Sequence, residues 1–120
     1  MKTRYLFGLP FVTLVVNSRE IEVVLDTGFN GSLLLPKNIV EKLNLPRMGF
    51  AEYAMADGSF SEAEMYIIEI DWFTQRKKVS VVAVETDLAL LGMELLQNIK
   101  TILSPSQNVL ILENAEKENG

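Results

Sequence analysis

The tripeptide Asp26-Thr27-Gly28 holds the residues best placed for chemistry. It follows the apolar run Ile21-Glu22-Val23-Val24-Leu25 and precedes Phe29-Asn30-Gly31. A carboxyl group at the end of a buried strand is costly: it must find a partner or shift its pKa. Chains accept that cost mainly where the carboxyl does acid–base work. Thr27 and Gly28 make a tight, hydroxyl-bearing turn suited to presenting the acid to a cleft. The plainer reading is a turn-capping carboxylate, because Asp before Thr-Gly also forms Asx turns.

The rest of the composition narrows the chemistry. The chain has no Cys and no His. That removes thiol nucleophiles, disulfides, zinc–thiolate sites, the Ser-His-Asp triad and most transition-metal sites. Asp, Glu, Lys and Tyr are left for acid–base work, with no metal and no cofactor expected. A net charge of −5 and a pI of about 4.7 speak against a nucleic-acid partner. The densest basic run, Arg76-Lys77-Lys78, reads as a hairpin turn. No stretch approaches the ~20 apolar residues of a transmembrane helix, so no membrane partner is expected. Lys2 and Arg4 before the apolar stretch 5–16 resemble a short signal peptide. Gly8 and Pro10 interrupt that stretch and no small-x-small cleavage site follows, so residues 11–16 read better as a strand and the expected location is cytoplasmic.

The elements that must position Asp26 are mostly strands. Residues 11–17 and 20–26 flank the polar pair Ser18-Arg19 as a hairpin. Val24 and Leu25 break the alternation of the second arm, as in a strand buried on both faces. Residues 32–35 read as a short strand and 36–43 as a short helix with Pro36 in its first turn. Residues 50–70 form a long hairpin turning at Asp57-Gly58, with Glu52, Glu62 and Glu64 along its arms. Residues 66–72 pair through a turn at 73–78 with 79–84. Leu88-Ala89-Leu90-Leu91-Gly92 is a buried strand, residues 93–99 a short helix, and 102–103 and 109–112 the closing strands. At 120 residues and 48% hydrophobic content, this is one mainly β domain, 1–112, with one or two short helices and a polar tail at 113–120.

A strand ending in Asp26-Thr27-Gly28, a long hairpin tipped by Ala56-Asp57-Gly58, and Leu90-Leu91-Gly92 running into a short helix stand in that order. The order resembles the retropepsin-like aspartic proteases, and most of all their single-domain bacterial members. The resemblance runs from about Gly8 to Leu112. It implies the acid protease fold, a closed or partly open β-barrel, and an aspartic endopeptidase that needs no cofactor. It implies a homodimer in which Asp26 and its symmetry mate share one proton over a bound water. Thr27 would brace the two loops across the axis and Gly28 would let backbone carbonyls approach the substrate. Phe29, Asn30 and Gly31 on the floor and Ala56, Asp57 and Gly58 on the flap would bind an extended peptide. The strand 109–112 and the N-terminal residues would form the dimer's intermolecular sheet.

The chain departs from the retroviral pattern. Those enzymes carry an acidic residue two positions after the motif glycine, paired with an Arg just after the second Gly. Asn30 and Met93 stand in those places, so the ion pair is lost from both ends. Phe29 replaces a small residue and either narrows a subsite or turns into the core. Two other readings accompany the endopeptidase. One is a non-catalytic peptide-binding or dimerisation module that keeps the fold. The other is a processing domain acting on one dedicated partner.

Overall fold

The structure, a computed structural model, describes residues 1–115. Strands β1 (Thr3–Leu6), β2 (Leu9–Val16) and β3 (Arg19–Leu25) form two consecutive hairpins. Both turns hold two residues at positive φ, Phe7 and Gly8 in the first and Asn17 and Ser18 in the second. Paired positive φ values match the right-handed twist of the flanking strands. The second turn is therefore Asn17-Ser18 rather than Ser18-Arg19, and Arg19 pairs with Val16 in the ladder. Asn tolerates the left-handed region better than Arg does. The signal-like N-terminus is strand: β1 and β2 take up most of residues 3–16, and Pro10 lies just outside the ladder with β3, where its missing N–H removes no rung.

From β3 the sheet continues through β8 (Leu90–Leu91), β4 (Leu33–Pro36), β7 (Gln75–Val84), β6 (Phe60–Trp72) and β5 (Arg47–Ala54), in that spatial order. β3 and β8 are parallel, β8 and β4 antiparallel, β4 and β7 parallel. This ladder has two ends, at β1 and β5, so the closed version of the expected barrel is not formed among the described residues. The sheet nevertheless curls until β2 packs against β6. β6 is one 13-residue strand that serves both expected hairpins, pairing with β5 at its start and β7 at its end. The basic run Arg76-Lys77-Lys78 lies within β7, not in a turn. Its register puts Arg76 opposite Asp71 and Lys78 opposite Glu69, and Arg76 also reaches Glu69 at 3.2 Å. Cross-strand opposite charges favour that register.

Helix α1 (Lys37–Leu43) follows Pro36, which ends β4 and occupies the N-cap, and it stops at Asn44 in the left-handed conformation. Residues 93–98, expected as helix, are successive turns instead. Leu95 N bonds Gly92 O, Leu96 N bonds Met93 O, and no four-residue helical repeat is established. Gly92 is bonded to the β4 side of the site, so the chain enters this stretch committed to tight turns. Strands β9 (Ile99–Ser104) and β10 (Val109–Asn114) make a separate two-stranded sheet. Glu113 and Asn114 are thus strand rather than tail, because each finds a rung opposite Lys100 and Ile99; residues 116–120 of the expected tail lie outside the described residues. Thr3 Oγ1 and Tyr5 Oη donate to the Leu110 and Val109 carbonyls and tie β10 to β1.

The core sits inside the curl. Val12, Val23, Leu33, Ile68, Ile70, Val81, Leu91 and Leu95 are fully buried, each contributing about 1.5–3 kcal/mol through burial. Val23, Val24 and Leu25 are all buried, so β3 is covered on both faces just before Asp26. A smaller cluster of Phe29, Leu34, Tyr53 and Val82 lies between the Asp26 loop and β5. Among the described residues, no helix is long and apolar enough to cross a membrane.

Candidate active site

Asp26 emerges from β3 at the point where β8 runs beside it. Its N–H donates to the Leu91 carbonyl at 2.9 Å, prolonging the parallel β3–β8 ladder by one rung. The chain then turns, with Phe29 N donating to Asp26 O at 3.2 Å. Gly28 N donates to Asp26 Oδ1 at 2.9 Å. This is the Asx turn of the plainer reading. It uses one carboxyl oxygen only; Oδ2 accepts no hydrogen bond from the described residues. The group is half-buried, so one oxygen is fixed by the backbone and the other is open to a proton, a water or a second carboxyl. Thr27 beside it is exposed.

The floor under this loop is built from backbone. Gly92 N donates to Ser32 O at 2.9 Å, Met93 N to Phe29 O at 2.8 Å, and Glu94 N to Gly31 O at 3.2 Å. A Cβ on Gly92 would collide with the Gly31 carbonyl, so only glycine lets the two segments approach this closely. Asn30 and Met93 do not meet as a pair. Ser32, two residues beyond Asn30 and 4% exposed, donates its hydroxyl at 2.5 Å to Oε1 of Glu94, one residue beyond Met93. A hydroxyl–carboxylate bond thus stands where the sequence suggested an unfilled ion pair.

Above the loop lies the β5–β6 hairpin. Its tip is a three-residue loop, Ala56-Asp57-Gly58. Gly58 N donates to Met55 O, Met55 N to Ser59 O, and Gly58 takes φ +85°. Ser59 donates both its hydroxyl and its N–H to Asp57 Oδ1, which holds the Asp57 carboxyl below the usual carboxylate range. The tip rests on the Asp26 loop. Ala56 backs onto Gly28 so closely that a Cβ there would stand 2.5 Å from Ala56 Cβ. Asn30 Oδ1 accepts from Ala54 N at 3.0 Å. Phe29 meets the edge of Tyr53, with ring centroids 6.0 Å apart.

No family model matches the chain, and no curated protein does. Solved structures do. A retropepsin-like aspartic protease from Rickettsia conorii superposes with a TM-score of 0.64 at 22% identity, covering 92% of this chain and 84% of that one. The chain has the retropepsin-like fold. EIAV protease, solved with the inhibitor HBY-793, gives a TM-score of 0.63 at 19% identity over 80% of this chain and 92% of that one. The foamy viral protease-reverse transcriptase, in complex with an RNA/DNA hybrid, gives 0.55 at 13% identity over 74% of this chain, which spans only 12% of that much longer one.

Within this retropepsin-like fold, Asp26, Gly28, Asn30 and Ala56 come together between loop and hairpin. Phe29 is 1% exposed and packs into the smaller cluster, beside the cavity next to the loop. Its length lets it span the gap from the loop to β5, which a small residue would leave empty. Asp57 and Gly58 are exposed and shape the turn. A small cavity of about 170 Å³ opens beside the loop, lined by Asn30, Ser32, Tyr53, Met65, Ser80 and Glu94 among others. Ser32 and Glu94 were missed as site residues from the sequence. Their positions, four after the motif glycine and two after Gly92, were the available signal. A larger depression, about 500 Å³, lies elsewhere, between Lys2, Arg4, Glu20 and Glu22, whose charges already pair across it. Among the described residues, no group of three or more acidic side chains is arranged to hold a metal ion.

Proposed function

We propose that this chain is an aspartic endopeptidase that works as a homodimer, its partly open barrel completed by a second copy. The observation that carries the reading is Asp26: its backbone N–H is fixed on Leu91 O, Gly28 N holds one carboxyl oxygen, and the second oxygen is open. Two such groups facing each other share one proton, because two adjacent carboxylates resist ionising together. The ionised member takes a proton from a bound water as it attacks the peptide carbonyl. The protonated member donates to the carbonyl oxygen, then a carboxyl returns a proton to the leaving amine. Thr27, exposed and without a hydrogen bond among the described residues, is free to brace the partner loop. The β5–β6 hairpin acts as the flap that covers an extended peptide and excludes water. Among the described residues, β1 and β10 each pair with one neighbour, which leaves edges for an intermolecular sheet. Ile102, Leu103 and Ile111 are exposed on the small sheet, as an interface needs.

The test is cleavage of a peptide library, read by mass spectrometry at high protein concentration, for wild type beside Asp26→Asn. Asn keeps the Oδ1 acceptor of the Asx turn, so the fold survives while the shared proton is lost. Cleavage by wild type alone supports the reading. The Asx bond itself favours one competitor, a peptide-binding module in which Asp26 is only structural. Peptide binding without cleavage, equal in both proteins, would establish that module.

A further inference from the structure

We propose that Asn30 is a latch: its side-chain carbonyl holds the flap in the free protomer, and the main-chain carbonyl of an extended peptide displaces it. The identity of that ligand rests on the protease reading; the latch itself rests on geometry alone. β5 is the terminal strand of the eight-stranded sheet. Ala54 lies opposite Phe60 in the ladder, yet its N–H points away from β6 and donates to Asn30 Oδ1 at 3.0 Å. An outward N–H on an edge strand is the donor that an added peptide strand engages through its own carbonyl. The Asn side chain carries the same amide carbonyl as a peptide unit, so Asn30 fills the place of one residue of that strand.

The neighbouring residues explain why the position is held so well. Phe29 is anchored in the core against Tyr53, and Gly28 backs onto Ala56. Consecutive loop residues therefore meet positions 56, 53 and 54 of the hairpin. Of these contacts, only the Asn30 bond is both polar and exposed. It can exchange for water or for a peptide carbonyl without disturbing the core. Asn30 Nδ2 has no partner among the described residues, so nothing else fixes the side chain. The latch makes Asn30 a competitor of substrate, not a contact to it.

Solvent-exchange NMR on the whole chain tests this directly. In Asn30→Ala the Ala54 amide should exchange about two- to tenfold faster than in wild type, while the buried Ile70 amide stays unchanged. Asn30→Asp keeps an acceptor oxygen and should protect Ala54 as wild type does. Equal Ala54 exchange in wild type and Asn30→Ala overturns the latch, as does failure of Asn30→Asp to restore protection. With a cleaved peptide, Asn30→Ala should lower KM about two- to tenfold and leave kcat unchanged. A raised KM would mean that Asn30 binds the substrate, and displacement would be wrong. If wild type cleaves nothing, the protease reading fails on its own, and Ala54 exchange still decides the latch.

Discussion

Gly28→Ala separates a lid that yields from a floor that cannot. The new Cβ would stand 2.5 Å from Ala56 Cβ and 3.2 Å from both Ala56 Cα and Asp26 Oδ1. Carbon atoms in contact rest about 3.5–4.0 Å apart, so the hairpin tip must retreat by about 1–1.5 Å. Gly28 is not in the left-handed region, so backbone strain plays no part. Overpacking where nothing moves costs about 1–3 kcal/mol. Here the tip moves, and what it surrenders is chiefly the exposed Asn30–Ala54 bond, about 0.5–1.5 kcal/mol. The lower unfolded-state entropy of Ala returns about 0.4–1 kcal/mol. The melting temperature should therefore shift by less than about 4 °C, while Ala54 amide exchange rises about fivefold. Gly92→Ala is the control. Its Cβ would meet the Gly31 carbonyl, Phe29 Cδ2 at 2.5 Å and Phe29 O at 2.7 Å, mostly backbone held by its own hydrogen bonds. Nothing there can retreat, and a loss of about 3 kcal/mol or more, roughly 10 °C, is expected. Equal losses in the two variants, or unchanged Ala54 exchange in Gly28→Ala, would refute the reasoning.

Two further predictions follow from the same loop and flap. Phe29→Ala should cost about 3–5 kcal/mol in urea denaturation, because the ring is 1% exposed between loop and β5; a loss below about 1 kcal/mol would place it outside the core. Asp57 is held below its ordinary pKa, first by the Ser59 hydroxyl and then by the Ser59 N–H. Its folded value lies below its unfolded one, so the tip is fully braced above the ordinary Asp range and loses the brace as pH falls through the folded value. The Ser59 amide signal should therefore titrate with a midpoint below the ordinary value of 3.8. A midpoint at or above it would contradict the hydrogen-bond assignment.

What could be read from the sequence depended on how local the determinant was. The end of β3 was legible because three consecutive aliphatics before an acid have one economical arrangement, buried on both faces. The turn of the β5–β6 hairpin was legible from Asp-Gly, although the structure uses Gly58 alone at positive φ and closes a three-residue loop. β1 was missed because Lys2, Arg4 and the following apolar residues mimic a leader. Its strand depends on distant partners: Arg4 pairs with Glu22 on β3, and Thr3 and Tyr5 bond β10. The apolar spacing of residues 93–99 suited a helix, but Leu95 N and Leu96 N bond back only three residues, to Gly92 O and Met93 O, and the segment forms successive turns. The role of Phe29 was open from sequence because size alone does not say which way a ring turns.

The backbone bonds around Gly92 divide the site into two parts of unequal stiffness. Below, the Asp26 loop is stitched to the β8 end through Asp26 N, Gly92 N, Met93 N and Glu94 N, with the Ser32–Glu94 bond alongside. These groups are backbone, partly buried, and leave no donor to spare. Above, among the described residues, the β5–β6 hairpin is joined to the loop by one exposed hydrogen bond, one ring edge and one methyl contact. Local opening follows the weakest buried contacts, so the lid lifts before the floor deforms. That ordering suits hydrolysis, in which a carboxyl must keep its geometry while a peptide enters and leaves. The lost ion pair fits the same scheme. A charge pair at Asn30 and Met93 would have tied residue 30 to the floor; without it, the Asn30 amide is free to reach the flap, and Ser32 with Glu94 keeps the floor closed.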